Sequence, residues 1–271
     1  MAEDPMKPIE SGIAVVSELM KAARKDPQVK EAASNLGQTA VTVTRALNNV
    51  LLPLAAMNYA FDKAKVYFYE KFPSELSEKV GKIPEDKIQE PKASVAGPAL
   101  QGLAFTHEEP PLKEMFLNLL ATSMDARHSS QAHPAFVEVI KQLEAKEASM
   151  VQDILKPGIM LPIVQVYIEN VSTGGQITKI THLANLKDSE SGGVSVEEGF
   201  PAMVDNWIRL GLVNVEYDKS LVGEHYYSWV ENRPEYIDIV NKVENKAHRV
   251  GFKKGVITAT DFGKEFAKAV S

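Results

Sequence analysis

Residues 29–68 read VKEAASNLGQTAVTVTRALNNVLLPLAAMNYAFDKAKVYF, and this stretch sets the architecture expected of the chain. Val29, Ala33, Leu36, Ala40, Val43, Leu47, Val50, Leu54, Met57, Phe61, Ala64 and Phe68 follow one another in alternating steps of four and three. An ideal α-helix turns every 3.6 residues, so an apolar seam repeating every 3.5 stays aligned only by winding left-handed around a partner. If helical throughout, the element is about 60 Å long at roughly 1.5 Å per residue. Pro53 removes an intrahelical hydrogen bond and crowds the preceding turn, which predicts a kink there. Leu51, Leu52, Ala55 and Ala56 make that turn apolar on several sides, so other helices should enclose it. Two arrangements satisfy the seam. One is packing inside the chain's own bundle. The other is a surface for self-association, or one that loosens to engage a membrane, built on Val29, Leu36, Val43, Leu47, Val50, Leu54, Met57 and Phe61.

Working outward, Ile9, Ile13, Val16 and Met20 form one helical stripe over about 8–24, and Asp26-Pro27 reads as a helix cap and first turn. After residue 72, Pro73, Pro84, Pro91 and Pro98 punctuate charged sequence, which predicts short helices joined by an exposed connection. Helices are expected over about 98–106, from about Pro111 to Asp125, from Ala132-His133-Pro134 through Leu143, and around Met150 to Ile154, stopping at Pro157-Gly158. Then the character changes. IVQVYIENV, residues 163–171, has the β-branched and aromatic alternation of a strand. A short helix is expected within Ile177 to Leu186, a Ser/Gly loop over 189–195, a helix from Val196 to Leu210, and strands at 212–217 and 255–260. A capped helix from Asp261 to Val270 follows. Helix, strand, helix, helix, strand, strand, helix is the element order of many winged-helix domains. About 35 residues between the last two strands would then be an insertion, holding a helix near Pro234 to Asn245.

Composition narrows the function classes. The 271 residues are 44% hydrophobic and 24% charged, close to an ordinary globular balance. There is no Cys, which removes disulfides, thiolate zinc sites and cysteine nucleophiles. A net charge of −6 disfavours a general nucleic-acid binder. MAEDPMKPIE lacks a basic region followed by an apolar run, so it does not read as a secretory signal. The most apolar stretch, Val50 to Met57, is far shorter than the ~20 residues that span a bilayer. No transmembrane segment is expected, and the location expected is cytoplasmic.

Candidate chemistry is sparse. His107, Glu108 and Glu109 are adjacent and so point in different directions, which suits structure better than metal ligation. Asp125, Arg127, His128 and His133 form a denser polar cluster between two helices. It is either a cleft for acid–base work or a hydrophilic turn, and no nucleophile or ligand set completes it. Gly174-Gly175 and Gly192-Gly193 fit neither GxxxxGK(S/T) nor GxGxxG and read as turns. The would-be recognition helix of a winged helix carries Glu197, Glu198 and Asp205 against Arg209 alone, a poor match to phosphates. Lys242, Lys246, Arg249, Lys253 and Lys254 make a basic stretch that is either a solvated face or a contact for an acidic partner, an anionic membrane or a nucleic-acid backbone.

Residues 112–155, LKEMFLNLLATSMDARHSSQAHPAFVEVIKQLEAKEASMVQDIL, carry a resemblance. FLNLLATSMD, then HPAFVEVIKQL, then an acidic-alanine helix start resemble the Abi-alpha (abortive infection alpha) family of bacterial proteins. The resemblance implies a role in defence against bacteriophage and brings no catalytic residues with it.

The expectation is therefore a mainly α chain. Residues 1–156 form an elongated helical bundle built on the heptad-patterned helix, and residues 157–271 form a smaller α+β domain of winged-helix type. The function expected is a non-enzymatic interaction or effector protein of abortive infection, without cofactor or metal. It would act through helical self-association, as a homo-oligomer, or through a phage-derived or cellular protein partner. The competing reading is a winged-helix nucleic-acid-binding regulator.

Overall fold

Proline placement decides where the helices begin. The computed structural model describes residues 58–188, 191–243 and 247–271. Its first helices are α1 (Asn58–Glu70), α2 (Phe72–Val80), α3 (Ala93–Thr106), α4 (Pro110–Met124), α5 (Pro134–Ile140) and α6 (Ala145–Ile154). Prolines occupy the first turns of α2, α4 and α5. There a missing amide proton costs nothing, because first-turn amides have no intrahelical acceptor. The same prolines stop neighbouring segments from fusing into longer rods.

The expected elongated bundle is thus corrected. The described residues hold short helices, from 7 residues in α5 to 15 in α4. Of the seam, Val29, Leu36, Val43, Leu47, Val50, Leu54, Met57 and the side chain of Phe61 lie outside the described residues. Its last two positions are seen: Ala64 and Phe68 are buried, and the Phe68 ring meets Phe72 edge-on at 5.3 Å.

The described residues divide into two units, 58–149 with 265–271, and 150–264. In the first, Phe68, Phe72, Leu76, Leu100, Leu103, Met115, Phe116 and Leu119 are buried. Each such side chain contributes about 1.5–3 kcal/mol by leaving water. Phe136 meets Phe266 edge-on at 5.5 Å, which fixes the last turns of the terminal helix α9 (Asp261–Val270) in this unit.

The second unit is built on an antiparallel sheet of β1 (Met160–Asn170), β2 (Gln176–Ala184), β3 (Val213–Glu216) and β4 (His248–Ala259), in the order β2-β1-β4-β3. The long central pair runs in register from Met160 opposite Thr258 to Asn170 opposite His248. Helices α7 (Phe200–Arg209) and α8 (Pro234–Lys242) complete it.

The winged-helix expectation is corrected here. Residues 176–184 form β2, not a helix, because Ile177, Thr178, Ile180 and Thr181 carry β-branched side chains that fit a pleated strand better than a helical turn. Leu183, Ile180 and Ile177 stand opposite Val164, Val166 and Ile168, all on one face of β1. Register irregularities on both sides of Val166 add residues to β2, so its matching positions recur every three residues, the spacing of a helix. The supposed insertion between β3 and β4 is a layer of the core. Tyr227, Val230 and Tyr236 pack with Val164, Val166 and Leu183 over one face of the sheet.

Candidate functional site

Asn118, Ala121, Thr122 and Asp125 recur at helical spacing and line one side of α4 and its end. Around that stripe stand Lys79 and Lys82 from the end of α2, Arg127, His128 and Gln131 from the turn after α4, and Lys268 and Ser271 from the end of α9. Together they enclose a basin of about 410 Å3 within the first unit.

Asp125 organises its wall. The residue is extended, with φ −93° and ψ 110°, so its side chain turns back over the following loop. Its carboxylate accepts the Arg127 amide at 2.9 Å, Arg127 Nε at 2.9 Å and Arg127 Nη2 at 2.6 Å. His128 Nδ1 lies 3.2 Å from the same carboxylate. The Arg127 guanidinium is the largest cause holding the Asp125 carboxyl far below the usual carboxylate range; burial works against it, while the Arg127 amide and His128 add to it.

The remaining cations differ in commitment. Lys79 donates to Glu114 and Lys268 to Glu265, each at 2.6 Å. Lys82 is exposed and forms no ion pair among the described residues.

Of the cluster expected from sequence, the structure brings Asp125, Arg127 and His128 together. His133 is not part of the basin lining; its Nδ1 accepts the Ala135 amide and caps α5. Lys79, Lys82 and Lys268 were not legible as partners of this cluster, because they converge from distant helices with no local pattern. His107 approaches the Ala104 carbonyl at 3.1 Å, and Glu108 pairs with Lys63 at 2.7 Å.

The basic stretch divides across the sheet. Lys254 stands opposite Val164 and lies over the Tyr227 ring, on the face that the core layer covers. Lys253 and Arg249 stand opposite Gln165 and Glu169, on the other face. Arg249 pairs with Glu169 at 2.5 Å and Lys242 with Asp238 at 2.6 Å. Lys246 lies outside the described residues. On the face with Lys253, the Tyr167 ring covers Gly251, where a Cβ would come within 2.8 Å of it.

Two further polar arrangements escape a sequence reading. His182 is buried between Tyr217, with Nδ1 2.9 Å from its hydroxyl, and Asp205, with Nε2 3.1 Å from its carboxylate. Arg233 is 1% exposed and donates to Glu235, to the Leu186 carbonyl at 3.1 Å and to the Ser195 carbonyl at 2.8 Å.

The Asp125 wall yields a prediction. Asp125→Asn removes the charge from hydrogen bonds to a cation, and should cost about 1.5 kcal/mol at neutral pH. A depressed carboxyl pKa stabilises the fold at pH values above the unfolded value of about 4, and that contribution is lost as pH falls toward the folded value. Urea unfolding of both proteins across pH should therefore show the gap open at pH 7 and closing below about pH 4.

These features define a helix-dominated α+β protein of two units, the first bearing a polar basin to which Lys79, Lys82, Arg127 and Lys268 contribute. Residues 64–270 match the family model described as Abortive infection alpha. The match spans well over half of the chain, and the chain belongs to that family, which ties it to abortive infection and phage defence. Neither the curated proteins nor the solved structures contain a match to the chain. Among the described residues, no helix is long and apolar enough to cross a membrane.

Proposed function

We propose that this chain is a bacterial, cytoplasmic effector of abortive infection that acts by binding a protein partner of phage or host origin rather than by catalysis. The family match over residues 64–270 is the observation that carries the reading. The face of β1 and β4 that presents Gln165, Tyr167, Arg249 and Lys253 supports a contact surface, because it sets a tyrosine ring beside an exposed lysine and an exposed arginine. Aromatic and arginine side chains dominate interface energetics. The 3.5-residue seam between Val29 and Phe61 supports a second, homotypic contact.

Bacteria expressing the chain and challenged with diverse phages should yield fewer phage, with early death of infected cells. Unchanged phage yield and host survival across the panel would count heavily against the proposal. A Lys253→Glu chain should accumulate normally and lose protection. If it still protects, the sheet face is not the contact.

A further inference from the structure

We infer that the basin in the first unit is a binding site for a small molecule carrying a phosphate or pyrophosphate group, of nucleotide size. This goes beyond partner binding, for it gives the protein a chemical signal to read.

The charge of the lining is the first support. Lys79, Lys82, Arg127 and Lys268 line the basin, Lys79 and Lys268 with Glu114 and Glu265 as partners, and Asp125 is the one carboxylate side chain among the lining residues themselves. That carboxylate is already committed to Arg127 and His128. A divalent metal ion would face these cations and is disfavoured; an oxyanion is favoured.

The second support is preorganisation. Arg127 is held on Asp125 through Nε and Nη2, so its guanidinium plane is fixed before any ligand arrives. Its remaining terminal nitrogen, Nη1, has no hydrogen bond among the described residues, and the side chain is 43% exposed. A fixed guanidinium edge suits the planar, paired contacts that phosphate oxygens offer. Lys82 brings a second cation with no competing carboxylate.

The third support concerns the end of α9, whose last carbonyls would repel an anion. The Asn118 amide donates to the Val270 carbonyl at 2.9 Å and the Thr122 hydroxyl to the Ala269 carbonyl at 3.0 Å. Those two acceptors are thereby satisfied and partly neutralised. The basin's volume of about 410 Å3 lies within the range of small-molecule sites.

Calorimetry on the full chain tests the inference with three probes: ATP, inorganic pyrophosphate and adenosine. ATP and pyrophosphate should bind with one-to-one stoichiometry at low salt and weaken as salt rises, and adenosine should give no signal. Equal affinity for ATP and pyrophosphate identifies the phosphates as the whole determinant; tighter ATP adds a contribution from the nucleoside. Both results support the site. Lys82→Glu should weaken binding by about tenfold or more. This variant should fold normally, because Lys82 is exposed and unpaired, and circular dichroism checks that. Lys92→Glu, an exposed lysine outside the basin lining, should bind like the parent chain. Absence of binding by both phosphate compounds at low salt overturns the inference. So does a Lys82→Glu chain that binds normally, or a Lys92→Glu chain that loses as much affinity as Lys82→Glu.

Discussion

Arg233→Met should destabilise the chain by about 3–5 kcal/mol, the largest loss expected of any single exchange described above. The guanidinium is almost fully buried and bonded on every side that the structure shows. Nε reaches Glu235 at 3.0 Å and Nη2 reaches it at 2.5 Å, while Nη1 and Nη2 also hold the carbonyls of Leu186 and Ser195. One side chain thus ties the start of α8 to both ends of the loop after β2. Met fills similar space but leaves the Glu235 carboxylate without its cation and two carbonyls without donors. The cost comes from those abandoned partners more than from the pair itself. A double exchange, Arg233→Met with Glu235→Leu, should therefore recover a large part of the loss. Denaturant unfolding of both variants checks this. If the double variant is no more stable than the single one, the stranded carboxylate is not the source of the cost.

Gly263→Ala is the second large effect, at ~3 kcal/mol, the upper end of what overpacking costs. Gly263 sits in the first turn of α9, where the Thr260 hydroxyl accepts its amide at 2.8 Å and caps the helix. The helix start is pressed against Leu212, the residue just before β3. An added Cβ would lie 2.1 Å from the Leu212 carbonyl oxygen and 2.9 Å from Leu155 Cδ2. The nearest obstacle is backbone, so no rotamer change relieves it; either Leu212 shifts or the helix start lifts away. The Thr260 amide also donates to that same Leu212 oxygen, at 3.0 Å, so a shift loosens the cap as well. A thermal melt of Gly263→Ala should show a transition several degrees below the parent chain. An unchanged midpoint would mean that the approach is not tight.

How much of this was legible in the sequence depends on whether the signal was local. Helix starts near Pro110-Pro111 and at Pro134 could be read, because proline acts on its own backbone, whereas Pro73 read only as one of several prolines between short helices. So could the terminal helix over Asp261–Val270, with its capping residue and amphipathic pattern. β2 could not, since its irregular register gave Ile177, Ile180 and Leu183 a helical spacing, and only pairing with β1 reveals the strand. That misreading supplied one helix of the element order on which the winged-helix expectation rested. The elongated bundle failed among the described residues because prolines in the first turns of α2, α4 and α5 start new helices and keep each one short. For the basin, the loop after α4 showed Asp125, Arg127 and His128 as a cluster, since they are near neighbours. Lys79 and Lys268 come from the two separate stretches of sequence that make the first unit, and no local pattern marks them as companions.

The first unit takes residues 58–149 and 265–271, with the whole sheet-bearing unit encoded between them. Synthesis by the ribosome therefore delivers its pieces out of order. Asn118 and Thr122 emerge long before the carbonyls of Val270 and Ala269 that they hold, and Phe136 emerges long before Phe266. The helical unit, begun before the sheet-bearing unit, is completed only after it. A nascent chain keeps that apolar side open until the sheet-bearing unit has been made, and the basin walls contributed by Lys268 and Ser271 come into being only after it.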